Sequence, residues 1–214
     1  MSEPQAHTNR APRMPADERR QSLLDVSVRV FAQRGYERTS VAHICKAAGI
    51  GRGTFYEYFG SKHDLFRELL GEHARRLLER MEPFYRKGVL PLAGGSVQDL
   101  VAARFHEIFA HFREHRDIYN IFLREALAKN AATGDLFRLI QNQQIAVVAD
   151  ELRQAMAIGV IRKFPDATQL ATFLLGGVMH VAFKYLIDES AEVDLDALAA
   201  DVAAMALAAL APAR

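Results

Sequence analysis

The 214-residue chain carries a single cysteine, Cys45. One thiol excludes an internal disulfide framework and a cysteine-cluster metal site, and it fits a reducing cytoplasm. Long apolar runs are missing too. No stretch reaches eighteen uninterrupted apolar residues, and the closest approach, 170–187, is broken by His180 and Lys184. The first fifteen residues hold Pro4, Pro12 and Pro15 among polar neighbours, without the apolar centre of a signal peptide, so they are expected to form a flexible arm. No segment alternates like a convincing strand, and neither a phosphate-cradling loop nor a nucleophile elbow is present. Charge of one sign is lacking overall, the formal net being +1 at pH 7. Its distribution is uneven. Residues 1–62 hold ten Lys and Arg against six Asp and Glu, whereas the remainder holds seventeen against twenty. A basic head on a mildly acidic body suits a protein that touches a polyanion with one end only.

What is present reads as helix throughout. Half of the residues are apolar and a quarter are charged, which is ordinary globular composition. Leu23, Leu24, Val26, Val30 and Phe31 repeat every three to four residues, predicting a helix over 16–33 that Gly35 stops. Thr39 or Ser40 offers an N-cap for a short helix ended by Gly49, and a third short helix holds Thr54, Phe55, Tyr56 and Tyr58. Ser61, with Asp64 three residues on, opens a long fourth helix reaching about residue 85. Gly88 to Ser96 and Asn130 to Gly134 are expected breaks. Five further helices follow, over about 97–115, 118–129, 135–158, 166–188 and 194–211. The fold class expected is therefore all-α with about nine helices: an arm over 1–15, a three-helix head over 16–60, and a six-helix body over 61–214.

The most informative stretch runs from Thr39 to Phe59. Two short helices separated by a glycine-containing turn at Gly49 have the spacing of a helix-turn-helix, in which the second helix enters the major groove of DNA. Ile44, Ala48, Ile50 and Phe55 would hold the pair together, and Phe59 is read as core. Gly51 and Gly53 leave the start of the reading helix unobstructed, so its backbone N–H groups can approach a phosphate. Arg52 can fork onto guanine, while Thr54, Tyr56 and Tyr58 can donate to phosphates. Tyr56 is open to a second reading as a partly buried core ring. Lys62 adds a cationic phosphate contact, and Thr39 or Ser40 adds another from the start of the second helix. Arg10 and Arg13 either reach a minor groove or belong to an untethered surface arm.

Residues from about Arg20 to Leu70 resemble the N-terminal domain of the tetracycline-repressor (TetR) family. The resemblance is carried by Leu23-Leu24, Val30-Phe31, Gly35-Tyr36, Thr39, Val41, Ile44, Ala47-Ala48-Gly49, Gly53-Thr54-Phe55-Tyr56, Tyr58-Phe59, Ser61-Lys62 and Leu65. It implies a DNA-binding head, a homodimer, and repression of a palindromic operator relieved by a small effector. By position, Arg52 and Gly53 match the family's base-reading site, and Thr54, Tyr56, Tyr58 and Lys62 its phosphate-binding residues. Two departures stand out. Gly51 sits where the family commonly has a polar residue, which removes one DNA contact, and Cys45 replaces a usual alanine as a buried thiol.

The body has no motif of its own. The resemblance implies that helices eight and nine pair across a two-fold axis, using Phe173, Gly176, Gly177, His180, Val181, Leu195, Leu198, Val202 and Met205. They could instead complete a monomer core. The resemblance also implies an effector cavity among the long helices, with lining from Phe105, Phe109, Phe112, Tyr119, Phe122 and Phe173 and polar groups from His106, Asn142, Gln143 or His180. Such a lining fits a largely apolar effector. His111 and His115 are four apart on one helical face, with His106 five earlier, which invites a zinc reading. Two imidazoles without a third ligand do not make such a site, so no metal or other cofactor is expected. The rival functional class is an enzyme or small-molecule-binding protein whose histidines carry acid–base chemistry, for instance His180 with Glu125, but no spacing requires those groups to meet.

Overall fold

A computed structural model describes residues 15–87, 96–127, 131–188 and 192–212. The N-terminal arm with Arg10 and Arg13, the residues around Pro91, and the side chain of Glu125 lie outside the described set. Among the described residues the chain is helical: α1 (Ala16–Arg34), α2 (Val41–Ala48), α3 (Arg52–Tyr58), α4 (Lys62–Lys87), α5 (Val97–Glu114), α6 (Arg116–Leu127), α7 (Ala131–Ala157), α8 (Ala167–Ala182) and α9 (Leu195–Leu210). The element from 166 onward, expected to be one α-helix to 188, widens into a π-helical turn at Phe183–Asp188. Helix α7 begins four residues earlier than expected, at Ala131, because the Ala-Ala-Thr-Gly stretch supplies helix rather than a break.

The local chemistry of the helix ends explains most boundaries. Gly35 and Gly49 both adopt positive φ, 76° and 65°. At Gly49 the backbone is left-handed and its N–H bonds the carbonyls of Cys45 and Lys46, a conformation that strains any residue with a Cβ. Ser40 and His43 form a reciprocal cap on α2: the Ser40 hydroxyl accepts from the His43 N–H at 3.3 Å, and His43 Nδ1 accepts from the Ser40 N–H at 3.2 Å. Asp166 and Asp194 each accept two backbone N–H bonds at the starts of α8 and α9.

Three apolar cores follow. The first joins α1, α2, α3 and the start of α4 to Ile118, Ile121 and Phe137 of the body. Phe66 is fully buried in it and meets Phe31, Tyr36 and Phe137 at 5.2, 4.7 and 6.4 Å between ring centroids. The head is thus welded onto α6 and α7 rather than hung from α4 alone. A second core packs α5 against α9 and the end of α8, and a third packs α7 against α8. Arg20 fastens α1 to α4: its Nε donates to Glu68 at 2.6 Å and its guanidinium lies 4.9 Å over the Phe59 ring.

Candidate nucleic-acid interface

Helices α2 and α3 are positioned by buried residues on their inner faces. Ile44 and Cys45 of α2 and Phe55 of α3 are buried, and Phe59, the expected core ring, is 3% exposed. Burial pushes the Cys45 thiol above its ordinary value, while the nearby Arg52 cation opposes that shift. The outward face of α3 then carries Arg52, Gly53, Tyr56 and Glu57, all exposed. Tyr56 shows 56% of its surface, which decides between its two readings: it stands edge-on to buried Phe55 and points outward. Beside them a concavity of about 310 Å³ is lined by Arg19, Gly49, Ile50, Gly51, Thr54, Glu57 and Tyr58. A Cβ placed on Gly51 or Gly53 would meet nothing within 4 Å, so the surface there is open to an approaching molecule.

The remaining expected contacts are rearranged. Thr39 is buried, and its hydroxyl donates to the Gly35 carbonyl at 2.7 Å, so it braces the turn and presents nothing to a duplex. Ser40 is exposed, and its hydroxyl accepts the α2 cap bond while keeping its own O–H to donate outward. Lys62 is half-buried; its ammonium donates to the Tyr36 carbonyl at 2.7 Å and sits 4.0 Å over the Tyr36 ring. That places it as a brace between α4 and the α1–α2 turn. Thr54 and Tyr58 are half-buried, with Tyr58 packed on the head core. Lys46, exposed in the last turn of α2, is a cation that the pattern reading did not single out. Its signal was available, since the opposite face of α2 holds Ile44 and Ala48.

In the body, the residues expected to line an effector cavity separate into two groups. Phe109 and Phe112 are buried, and Phe105, Tyr119 and Phe122 are half-buried. Their rings pack on one another and on neighbours: Phe105 on Phe109 at 6.1 Å, Phe112 on Tyr119 at 4.1 Å, and Phe122 on Phe137 at 4.3 Å. Burial raises the Tyr119 phenol far above its ordinary value. Asn142, Phe173 and His180 lie elsewhere, exposed on the outside of α7 and α8. His106 faces Asp196 of α9 at 3.5 Å and Glu107 at 3.8 Å. The larger concavity, about 470 Å³, borders α1 and α4 rather than the body's aromatic seam.

The expected pairing residues divide as well. Phe173 is 76% exposed and Met205 62%, with Gly176, Gly177 and His180 exposed along the same helix as Phe173. Leu195 and Val202 are buried inside the protomer against α5, and Val181 and Leu198 pack on that core. One face of α9, with Leu195, Ala199, Val202 and Ala203, therefore serves the interior. The segment Ala167–Ile187 has a mean hydropathy of 1.6 with only 22% of it buried, so by length and composition it is the one described helix apolar enough to cross a membrane. Ala167, Ala171 and Ala182 seat it on its neighbours, leaving Phe173 outward.

A helix-turn-helix head fused to an all-helical body is the architecture of a bacterial regulatory protein. Residues 23–69 match the sequence profile described as "Bacterial regulatory proteins, tetR family". AcnR, an HTH-type transcriptional repressor of Corynebacterium glutamicum, is 34% identical over 169 residues, which cover 79% of this chain and 78% of that protein. AcrR of Shigella flexneri, an HTH-type transcriptional regulator, is 47% identical over 60 residues, 28% of either protein. The chain spans between 28% and 56% of the length of several curated relatives that it matches. Among solved structures, the transcriptional regulator FadR of Bacillus subtilis in complex with stearoyl-CoA has the same fold, with a TM-score of 0.74 at 20% identity over 89% of this chain and 98% of that one. The chain belongs to the TetR family.

Proposed function

We propose that this protein is a dimeric, sequence-specific DNA-binding repressor, released from a palindromic operator by a largely apolar small molecule. The observation that carries the reading is the outward face of α3, where Arg52 and Tyr56 stand exposed beside open glycines while Phe55 anchors the helix from below. Arg52 reads a base edge, and Tyr56, Thr54 and Lys46 meet the backbone. Lys62, Thr39 and Ser40 hold the frame in which those groups are presented.

Dimerisation follows from the apolar outer face of α8. An exposed Phe173 flanked by Gly176 and Gly177, with Met205 on α9, is a surface that a second copy of the chain would cover. A two-fold pair presents two copies of α3 to two half-sites. The effector site is assigned to the aromatic seam of Phe105, Phe109, Phe112, Tyr119 and Phe122, whose rings would have to part to admit a ligand. An apolar ligand is supported by that lining, and the like-folded FadR was solved with stearoyl-CoA. Release requires the effector to favour a conformation with lower operator affinity.

Selection of bound duplexes from a random DNA pool tests the reading, and a two-fold symmetric site is the expected product. Arg52→Ala should then cost about 1–3 kcal/mol of discrimination at one position of each half-site. No retained DNA at low salt would overturn the proposal.

A further inference from the structure

Away from α3, three imidazoles converge between α4 and α5. His73 comes from the middle of α4, and His111 and His115 come from the end of α5, one helical turn apart. The His73 and His115 rings lie 4.7 Å apart between centroids, and those of His111 and His115 lie 4.5 Å apart. One ring nitrogen from each histidine falls within 4.8 Å of the other two. His111 is 2% exposed, yet its Nε2 has no hydrogen-bond partner among the described residues, and the buried Nδ1 of His73 has none among them either. A buried polar atom left unpaired is destabilising, so two of them in one cluster demand a reason.

Protonation does not supply it. Burial, reinforced by the neighbouring His115, pushes His73 and His111 down to about 4. Near neutral pH these rings are uncharged and keep a lone pair, which is the state a metal ion requires. The surrounding cations are already balanced. Arg80 is held by Glu107 at 2.6 Å and Glu114 at 2.7 Å, and Arg76 is paired with Glu72. Asp25 of α1 adds a negative charge near His73.

We propose that His73, His111 and His115 form a three-histidine site for a divalent transition-metal ion of the zinc class, with the fourth position left to water or an anionic group. Imidazole nitrogens suit such ions, and three protein ligands leave one coordination position open. Metal–nitrogen bonds of 2.0–2.1 Å in tetrahedral geometry put ligand atoms about 3.3 Å apart, so the widest pair has to close by about 1.5 Å at most. Rotation of the rings about their side-chain bonds would have to supply that closure. Nothing in the sequence spacing links His73 to the other two, which are 38 and 42 positions away.

The bound ion would tie α4 to α5. His73 lies eleven residues beyond the start of α4 at Lys62, roughly 16 Å of helix from the head. A metal there sets the tilt of the helix that enters the head. That consequence rests on the regulator reading, whereas metal binding does not.

The test uses the full chain, stripped with a chelator and titrated with Zn²⁺ against a chromophoric competitor, and separately with Co²⁺. One ion per protomer and the visible d–d bands of tetrahedral Co²⁺ are expected. His73→Gln and His115→Gln should each weaken Zn²⁺ binding by at least about tenfold while retaining helical circular dichroism. His106→Gln, outside the cluster, should leave it unchanged. Absence of Zn²⁺ binding by the wild-type chain, or affinity unaltered in both ligand variants, overturns the site. The same preparations are then assayed for DNA. Zinc binding without any DNA affinity sinks the regulator reading and leaves the metal site standing, and DNA binding without zinc does the reverse.

Discussion

Acidification should destabilise the metal-free protein through its buried histidines. In the unfolded chain a histidine titrates near 6.5, whereas folded His73 and His111 titrate at about 4. The stability their neutrality contributes is whole above pH 6.5. It shrinks as the pH falls and the unfolded state binds protons that the folded state refuses, and it stops changing below about 4. At pH 5 the unfolded imidazole is mostly charged and the folded one mostly neutral. The loss between pH 7 and 5 is therefore about 2 kcal/mol for nearly inaccessible His111. Half-buried His73 contributes less because solvent screens it, so the pair together is worth roughly 2–4 kcal/mol. Urea unfolding followed by helical circular dichroism measures this, with a chelator present and protomer concentration held fixed. Carboxylates also titrate in this range, so the decisive quantity is a difference of differences. His111→Phe should lose about 2 kcal/mol less than wild type over the same pH interval, with His73→Phe as the second variant. If both variants show the wild-type pH change to within a few tenths of a kcal/mol, the imidazoles are not neutral in the fold and the reasoning fails.

Two further substitutions probe other parts of the structure. Ser40→Ala removes the hydroxyl from the reciprocal cap on α2 and should lower stability by ~1 kcal/mol, read as a shifted urea midpoint with an unchanged slope. Phe173→Asp places a charge on the outer face of α8 and should convert a dimer to monomers in sedimentation experiments without loss of helix content, because Phe173 is already 76% exposed in the protomer.

The helices and the reading head were legible because their signals are local. Apolar spacing in α1, the glycines at 35 and 49, and the Ser61–Asp64 start of α4 each act within a few residues, and the structure follows them. The exposed face of α3 was legible for the same reason. Less legible was what each polar side chain beside the motif already bonds inside the head. Thr39 is buried on the Gly35 carbonyl, whereas the exposed Ser40 hydroxyl accepts at the cap and still carries a proton to donate. The Lys62 ammonium has three N–H groups, one of them on the Tyr36 carbonyl. The body was less readable because its contacts are distant in sequence. Leu195 and Val202 look equally suited to a subunit interface or an interior, and only their packing against α5 decides. His111 and His115 announced a helical face, but His73, their neighbour from α4, had no mark in the sequence at all.

The way the cores are shared constrains how any signal could travel. The head does not pivot freely on α4, since Phe66 touches Phe137 and the same core takes in Ile118 and Ile121. A shift of α6 or α7 must therefore move the head directly. Helix α4 is gripped at both ends: near the head by Arg20 against Glu68, and beyond His73 by Arg80 against Glu107 and Glu114 of α5. Tyr119 belongs to the head-side core and to the α5–α9 core at once, and its ring packs on Phe112 and faces His111. A ligand that parts Phe112 from Tyr119 displaces a ring that touches the head-side core through α6 and the histidine cluster through His111. On this geometry an effector between Phe112 and Tyr119 and an ion at the histidines would touch the same joint, and the two affinities would be coupled reciprocally where each ligand favours a different arrangement of it.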